Sequence, residues 1–288
     1  MSPPDPSARH LVVGGVPVPA FLYGTAWKEE ATERLTGLAL QAGFRGIDTA
    51  NQRRHYHEAG VGAALQQAFA AGLVRREDLF VQTKFTSAPG QDHRLPYDPR
   101  ADPATQVRQS FASSLEHLGV ERLDSYVLHG PSRRFGLTAF DLAVWQAMEA
   151  LHAAGATRFL GVSNVGLDQL EELCARAATP PAFVQNRCFA QTGWDREVRA
   201  VCRERAIVYQ GFSLLTANVG ELRQPAFQRL VARVGRTPAQ VVFRFALQVG
   251  MQPLTGTTDP RHMREDLESH AFELDPADVR LMEGIAGG

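Results

Sequence analysis

The sequence predicts an α/β fold, a (β/α)8 barrel of the TIM type, and three observations lead there. The chain has 288 residues, longer than most domains but in the range of one such barrel, about 250 residues. Short, almost wholly apolar runs alternate with amphipathic segments at helical spacing, and the alternation recurs eight times. The loop Gly-x-Gly-x-x-Gly, which an open doubly wound sheet would carry after its first strand, is missing; Gly24-Thr-Ala-Trp-Lys stands there instead.

Residues 1–8 are proline-rich and expected to be disordered, leaving 9–288 as a single barrel domain. The segment after His10 reads as a short N-terminal β-hairpin around Gly14 and Gly15. The first barrel strand is Phe21 to Gly24, and Leu35, Leu38, Ala39 and Ala42 set the helical spacing of the segment from Glu29 to Ala42. Strand Phe44 to Asp48 with helix Glu58 to Ala71 follows, then Leu79 to Thr83 with Pro103 to Leu118, and Ser125 to Leu128 with Ala139 to Ala154. The second half gives strand Phe159 to Val162 with helix Leu167 to Ala177, and Ala182 to Gln185 with Asp195 to Glu204. Strand Ile207 to Phe212 precedes helices near Phe227 to Val234 and Pro238 to Val249, and strand Gln252 to Thr255 precedes helix Pro260 to Ser269. Asp275 to Ile285 is an extra C-terminal helix, and Thr86 to Arg100, rich in proline, glycine and charge, is a surface excursion.

Composition narrows the function. A formal net charge of −1 with 21% charged residues gives no bias toward polyanions, so nucleic acid is not an expected partner. No run approaches the roughly 18 apolar residues of a membrane span, and the N-terminus lacks a signal core, so no membrane partner and a cytoplasmic location are expected. Cys174, Cys188 and Cys202 are odd in number and widely spaced, which suits reduced thiols; none has zinc-site spacing, and no metal is expected.

In a barrel of this kind reactive groups lie just past the C-terminal strand ends. Those ends carry Asp48, Lys84, His129, Ser163 with Asn164, Gln185 with Asn186, Phe212 with Ser213, and Thr255 with Thr257. Singly, each has an ordinary explanation: an Asp there caps a helix, a Lys is solvated, a His is a satisfied structural one. Asp48, Lys84 and His129 differ because each directly follows an apolar strand, where a polar head is partly desolvated and needs partners. An Asp–Lys pair is electrostatically sensible there. Tyr56 completes the set, since an ammonium beside a phenol raises its acidity and makes it a proton donor.

With these residues in view the chain resembles the aldo-keto reductases over nearly its whole length. The matching pieces run in the family's order: Gly24-Thr-Ala-Trp-Lys, Ala42-Gly-Phe-Arg-Gly-Ile-Asp-Thr-Ala, Gln82-Thr-Lys, Leu123-Asp-Ser-Tyr-Val-Leu-His-Gly-Pro, Trp145-Gln-Ala-Met-Glu, Leu160-Gly-Val-Ser-Asn, Val184-Gln-Asn, Gly211-Phe-Ser-Leu-Leu and Thr237-Pro-Ala-Gln-Val. The resemblance implies an NAD(P)H-dependent oxidoreductase that reduces an aldehyde or ketone, with Asp48, Tyr56, Lys84 and His129 as a catalytic tetrad. The tyrosine departs from the pattern: its slot falls on Arg53 counted from Asp48, and on His55 counted back from Glu58, Val61 and Gly62. The loop is about two residues longer than the family's, and Tyr56 is its only phenol, with His55 or His57 as the alternative proton source.

On the cofactor the resemblance implies contacts from Gly24, Thr25, Ser163, Asn164, Gln185, Ser213, Leu215, Thr255 and Thr257, and a stacking ring at Phe212. Ser163 has an alternative role as cap of the helix that begins near Leu167. A lysine that the family often carries after Pro253 is replaced by Leu254. Arg261, His262 and Arg264 offer positive charge at a helix N-terminus instead, with Glu265 and Asp266 at adenine-binding positions, so NADPH is expected and NADH is possible. Trp27 and Gly130 are expected in the substrate pocket, with Gly130 where many relatives have tryptophan; Phe135, Phe189 and Trp194 are either further lining or packing. A monomer or weak oligomer acting on a small-molecule carbonyl follows, and the alternative is a nicotinamide-binding regulatory subunit with slow or vestigial chemistry.

Overall fold

Gly14 and Gly15 both adopt positive φ, 53° and 79°, as a two-residue hairpin turn requires. They join β1 (His10–Val13) to the antiparallel β2 (Val16–Pro19). The structure, a computed structural model, describes residues 9–287; the N-terminal stretch expected to be disordered lies outside them. Beyond the hairpin, β3 (Leu22–Gly24), β4 (Gly46–Asp48), β5 (Phe80–Phe85), β6 (Leu123–Leu128), β7 (Thr157–Ser163), β8 (Phe183–Arg187), β9 (Val208–Phe212) and β10 (Met251–Thr255) follow one another in sequence around a closed barrel, β10 returning to β3. The eight strands and the hairpin are those the sequence predicts.

Residues divide into two compact units, Tyr23–Val184 and the remainder. In Tyr23–Val184, β4 to β7 pair in parallel, with Asp48 beside Gln82, Lys84 beside Val127 and Leu128 beside Val162. Every residue of β5 and β6 is buried, which is why these strands read as continuous runs rather than alternating ones. The unit's helices are α1 (Thr32–Ala42), α2 (Glu58–Ala70), α3 (Pro103–Leu118), α4 (Ala139–Ala153) and α5 (Leu167–Arg176). Their starts are fixed locally: the Asp102 side chain accepts from the Thr105 amide at 3.0 Å, and Thr138 with Asp141 forms a capping box.

Two glycines set the approach to the site. Gly43 ends α1 at φ 113°, its amide bonding Leu40 O at 3.1 Å while the Phe44 amide bonds Ala39 O at 3.0 Å. Phe44 is thereby spent on the helix cap, and β4 starts at Gly46 rather than at Phe44 as its apolar character suggested. At Gly62 a Cβ would overlap the His117 carbonyl, so glycine alone lets α2 and α3 meet this closely.

The other unit contains β1, β2, β9 and β10 with α6 (Arg196–Glu204), α7 (Pro225–Val234), α8 (Pro238–Gln248), α9 (Pro260–Leu267) and the expected extra C-terminal helix, α10 (Pro276–Glu283). Its core packs Phe21 against Phe243 at 4.9 Å and Trp194 against Phe245 at 5.2 Å between ring centres, both pairs tilted. The Trp194 indole N–H donates to Met282 O at 2.6 Å, so this tryptophan is packing and not pocket lining. Inside the unit a line of buried amides runs Gln185 to Gln210 at 3.0 Å, Gln210 to Gln252 at 2.8 Å, and Gln252 to the Pro19 carbonyl, satisfying polar groups that water cannot reach. No helix among the described residues is long and apolar enough to cross a membrane.

Candidate active site

Asp48 ends β4 and Lys84 lies in β5; they are 2% and 0% exposed. Burial of an ammonium is tolerable only with partners, and Lys84 Nζ has three: both Asp48 carboxylate oxygens at 2.7 Å and Thr49 O at 2.8 Å. Gln82 Nε2 donates to the same carboxylate at 2.7 Å, and the Thr25 hydroxyl and amide hold the Asp48 carbonyl at 2.9 and 3.0 Å. Burial lowers the Lys84 pKa from its ordinary value, with the Asp48 charge opposing that shift.

The loop after β4 is held on both sides. On one side Gln52 Nε2 donates to Gly90 O at 2.5 Å, Gln91 Nε2 to Asn51 O at 2.8 Å, and Arg94 to Arg53 O at 3.2 Å; the Thr86–Arg100 excursion is thus packed against the loop. On the other side Arg53 meets Glu30 at 3.1 Å and the Trp27 amide donates to His55 O at 2.7 Å. Held so, the loop brings the Tyr56 ring centre 5.3 Å from Lys84 Nζ and 5.9 Å, edge-on, from the His129 ring. His55 instead packs against Trp27, ring centres 3.9 Å apart and tilted by 35°, and His57 Nδ1 faces Glu29 O at 3.4 Å. Of the three residues weighed at the family's tyrosine slot, Tyr56 is the one set over the lysine.

The expected acidification of Tyr56 is reversed. Burial, then the Asp48 charge, push its pKa well above the usual phenol value, and Asp48, 2.7 Å from Lys84 Nζ, offsets part of the lysine's charge. His129, just past β6, is shifted in the other sense: burial, with the positive charges of Lys84 and His55, pushes its imidazole down to about 3. Its Nδ1 is 2.6 Å from the Thr86 hydroxyl, and its carbonyl accepts from Asn164 Nδ2 at 2.8 Å.

Ser163 ends β7 and Asn164 follows it. Ser163 is buried and does not cap α5: Gly166 is the cap residue, its amide bonded by the Gln169 side chain at 3.0 Å. Asn164 is exposed at φ 52°, its amide also reaching Ser163 Oγ at 3.1 Å. Gly24 ends β3, and Gly130 has ordinary room beside it, a Cβ there lying 3.4 Å from Asn164 Cβ. Trp27 is 70% and Phe135 72% exposed.

The other expected cofactor residues belong to the second unit. Gln185 is engaged in the amide line, and Phe212, Ser213 (φ 57°) and Leu215 lie half-buried at and after the end of β9. Thr255 donates its hydroxyl to the buried Asp266 at 2.7 Å, and burial raises that carboxyl to about 6; Thr257 follows on the loop to α9. Arg261 is 3.6 Å from Glu265. At the start of α9 the Asp259 carboxylate accepts from the Arg261 amide at 2.7 Å and the His262 amide at 3.4 Å, so a negative side chain occupies the helix N-terminus that the arginines were expected to make positive.

Two contacts escaped sequence reasoning. Thr86, the first residue after β5, contacts His129 Nδ1 from the neighbouring strand, a pairing set by register that no local pattern displays. Glu58, 4% exposed, accepts from the Thr83 hydroxyl and lies 3.1 Å from His117 Nδ1, tying the start of α2 to β5 and α3.

A closed parallel barrel with a buried acid–base cluster just past its strand ends is the architecture of a barrel enzyme. The model of the Aldo/keto reductase family matches residues 20–286, and the chain belongs to that family. An aldo-keto reductase of Mycobacterium avium is 31% identical over 261 residues, covering 90% of this chain and 83% of the relative. Among solved structures, an aldo/keto reductase from Brucella melitensis superposes with a TM-score of 0.83 at 22% identity, over 99% of this chain and all of the other. An aldo-keto reductase complexed with NADPH gives 0.81 at 24%, over 96% of this chain and 87% of the other. These two likenesses establish the fold.

Proposed function

We propose that the protein reduces an aldehyde or ketone to the alcohol with a reduced nicotinamide cofactor, Tyr56 donating the proton. The observation that carries this reading is the placement of Tyr56 over the buried Lys84–Asp48 pair and edge-on to His129. The bound cofactor supplies hydride to the carbonyl carbon. Tyr56 gives its proton to the oxygen, and Lys84, fixed by Asp48, stabilises the charge left on the phenol. The Thr86 hydroxyl is 2.6 Å from His129 Nδ1; in the tautomer in which that hydroxyl donates, the neutral imidazole carries its proton on Nε2 and gives it in a hydrogen bond to the carbonyl oxygen. Trp27 and Gly130 form part of the substrate pocket.

Within each unit the residues present suit a part of a nicotinamide dinucleotide. Asn164, tied down by its amide, presents its carbonyl oxygen beside the buried Ser163 hydroxyl, a hydrogen-bonding pair suited to a carboxamide. Phe212 offers a ring face, and Thr255, Thr257, Arg261 and Glu265 the polar end. Arg261 and Arg264 favour NADPH. With Asp259 on the first α9 amides the preference over NADH is small, because the carboxylate offsets part of their attraction for a phosphate.

Oxidation of NADPH by 4-nitrobenzaldehyde, followed by absorbance, tests the reading. Turnover that falls by about 10²–10⁴-fold in Tyr56→Phe is expected. Tight cofactor binding without turnover in the unaltered chain would refute it.

A further inference from the structure

We infer that Trp27 and His55 form a clamp that positions Tyr56, compensating for the added length of the loop; the inference rests on Tyr56 being the proton donor. Trp27 is the anomaly that leads there. It is 70% exposed while Trp145 and Trp194 are buried, so no core packing accounts for its placement. Its backbone is left-handed, φ 61°, as is that of Glu29 at 45°, a conformation that non-glycine residues hold only when surrounding contacts over-determine it.

Those contacts converge on one target. The Trp27 amide donates to His55 O at 2.7 Å, and its indole lies 3.9 Å from the His55 ring at an interplanar angle of 35°. The following residues hold the loop on either side of His55: Glu30 reaches Arg53 at 3.1 Å and Glu29 O faces His57 Nδ1 at 3.4 Å. His55 immediately precedes Tyr56, whose amide turns back to Gln52 O at 3.0 Å. A loop with extra residues has more conformations in which the phenol misses the lysine. Stacking His55 removes them, and the side chain that takes the family's tyrosine slot in sequence acts here as an anchor for the tyrosine beside it.

Steady-state turnover of NADPH and 4-nitrobenzaldehyde by His55→Ala, His55→Phe, Trp27→Ala and the Trp27→Ala/His55→Ala double variant tests the clamp. His55→Ala should lower kcat by about two- to ten-fold, the range of one aromatic contact, with KM for NADPH unchanged. His55→Phe keeps a ring and no ionisable group, and should restore kcat and the unaltered pH profile. In kcat the double variant should be no worse than the poorer single one, as expected of partners in one contact. A kcat unchanged in His55→Ala overturns the clamp, and so does a His55→Phe as inactive as Tyr56→Phe, which would make His55 a chemical participant. Full activity in Tyr56→Phe would fall on the donor assignment itself and is read separately.

Discussion

Asp48→Asn separates what the buried ion pair does for stability from what it does for the reaction. The substitution preserves volume but leaves Lys84 Nζ, wholly buried, with Thr49 O and one amide oxygen in place of a carboxylate that now touches it twice at 2.7 Å. One asparagine oxygen must also serve both Lys84, which now bonds both carboxylate oxygens, and Gln82, which bonds Oδ1. Breaking a buried pair from one side costs about 3–5 kcal/mol. For 288 residues the unfolding entropy is about 0.6 kcal/mol per kelvin, so Tm should fall by about 5–8 °C. Because desolvation already lowers the Lys84 pKa, losing the opposing carboxylate drives it further down. The folded chain then releases that proton more readily than the unfolded one, so the penalty is greatest at low pH and shrinks as pH rises. Adding Lys84→Met removes the stranded charge, and the double variant should recover most of the lost Tm while its kcat stays about 10²–10³-fold down for want of the ammonium. Thermal unfolding by circular dichroism and NADPH turnover read the two quantities. A double variant as unstable as Asp48→Asn alone, or an Asp48→Asn with unaltered Tm, would refute the argument.

Thr86→Val removes the hydroxyl 2.6 Å from His129 Nδ1 and with it the choice of tautomer; kcat for reduction should fall by about ten-fold, the worth of one hydrogen bond, with NADPH affinity intact by fluorescence titration. His129 is pushed from 6.5 to about 3, so the unfolded chain takes up its proton first as pH falls. Its contribution to stability is complete above pH 6.5 and lost between 6.5 and about 3, a loss that urea titrations should show to be smaller in His129→Phe. Reduction should show no break from either residue between pH 5 and 8, whereas alcohol oxidation, which needs the Tyr56 phenolate, should rise continuously above pH 8 in rate assays.

The strands were legible because burial on both faces leaves no alternation to misread, and β5 and β6 are buried throughout. Asp48, Lys84 and His129 were legible for a related reason: the sequence sets each at the end of a mostly apolar stretch, where a polar residue must find partners, although Asp48 proves to close β4 and Lys84 to lie inside β5. Boundaries were less so where a residue served two elements, as Phe44 does in closing α1. Thr86 and Gln82 were illegible as partners because pairing across strands depends on register, which no local pattern displays. At α9 the sequence shows Arg261, His262 and Arg264 together, but not that Asp259 turns its carboxylate onto the helix amides ahead of them. In the loop, counting along the chain gave Arg53 or His55 for the family's tyrosine slot, while the fold sets Tyr56 over the lysine and His55 against Trp27.

The reversed shift of Tyr56 bears on how the site divides its work. Were the ammonium to acidify the phenol strongly, the resting site would hold phenolate at neutral pH and could not donate. Pairing Lys84 with Asp48 weakens that field in the resting site, and burial keeps the phenol protonated. His129, neutral and ordered by Thr86, can likewise give a hydrogen bond but carries no charge. Two donors with no free cation between them bind a carbonyl weakly in its ground state, and gain strength only as negative charge grows on its oxygen. In the reduction proposed above, an alkoxide, more basic than a phenolate, would take the Tyr56 proton despite its raised pKa, and the phenolate would be left beside the lysine. The arrangement reserves its electrostatic effect for the transition state, which is where such an effect raises kcat rather than affinity.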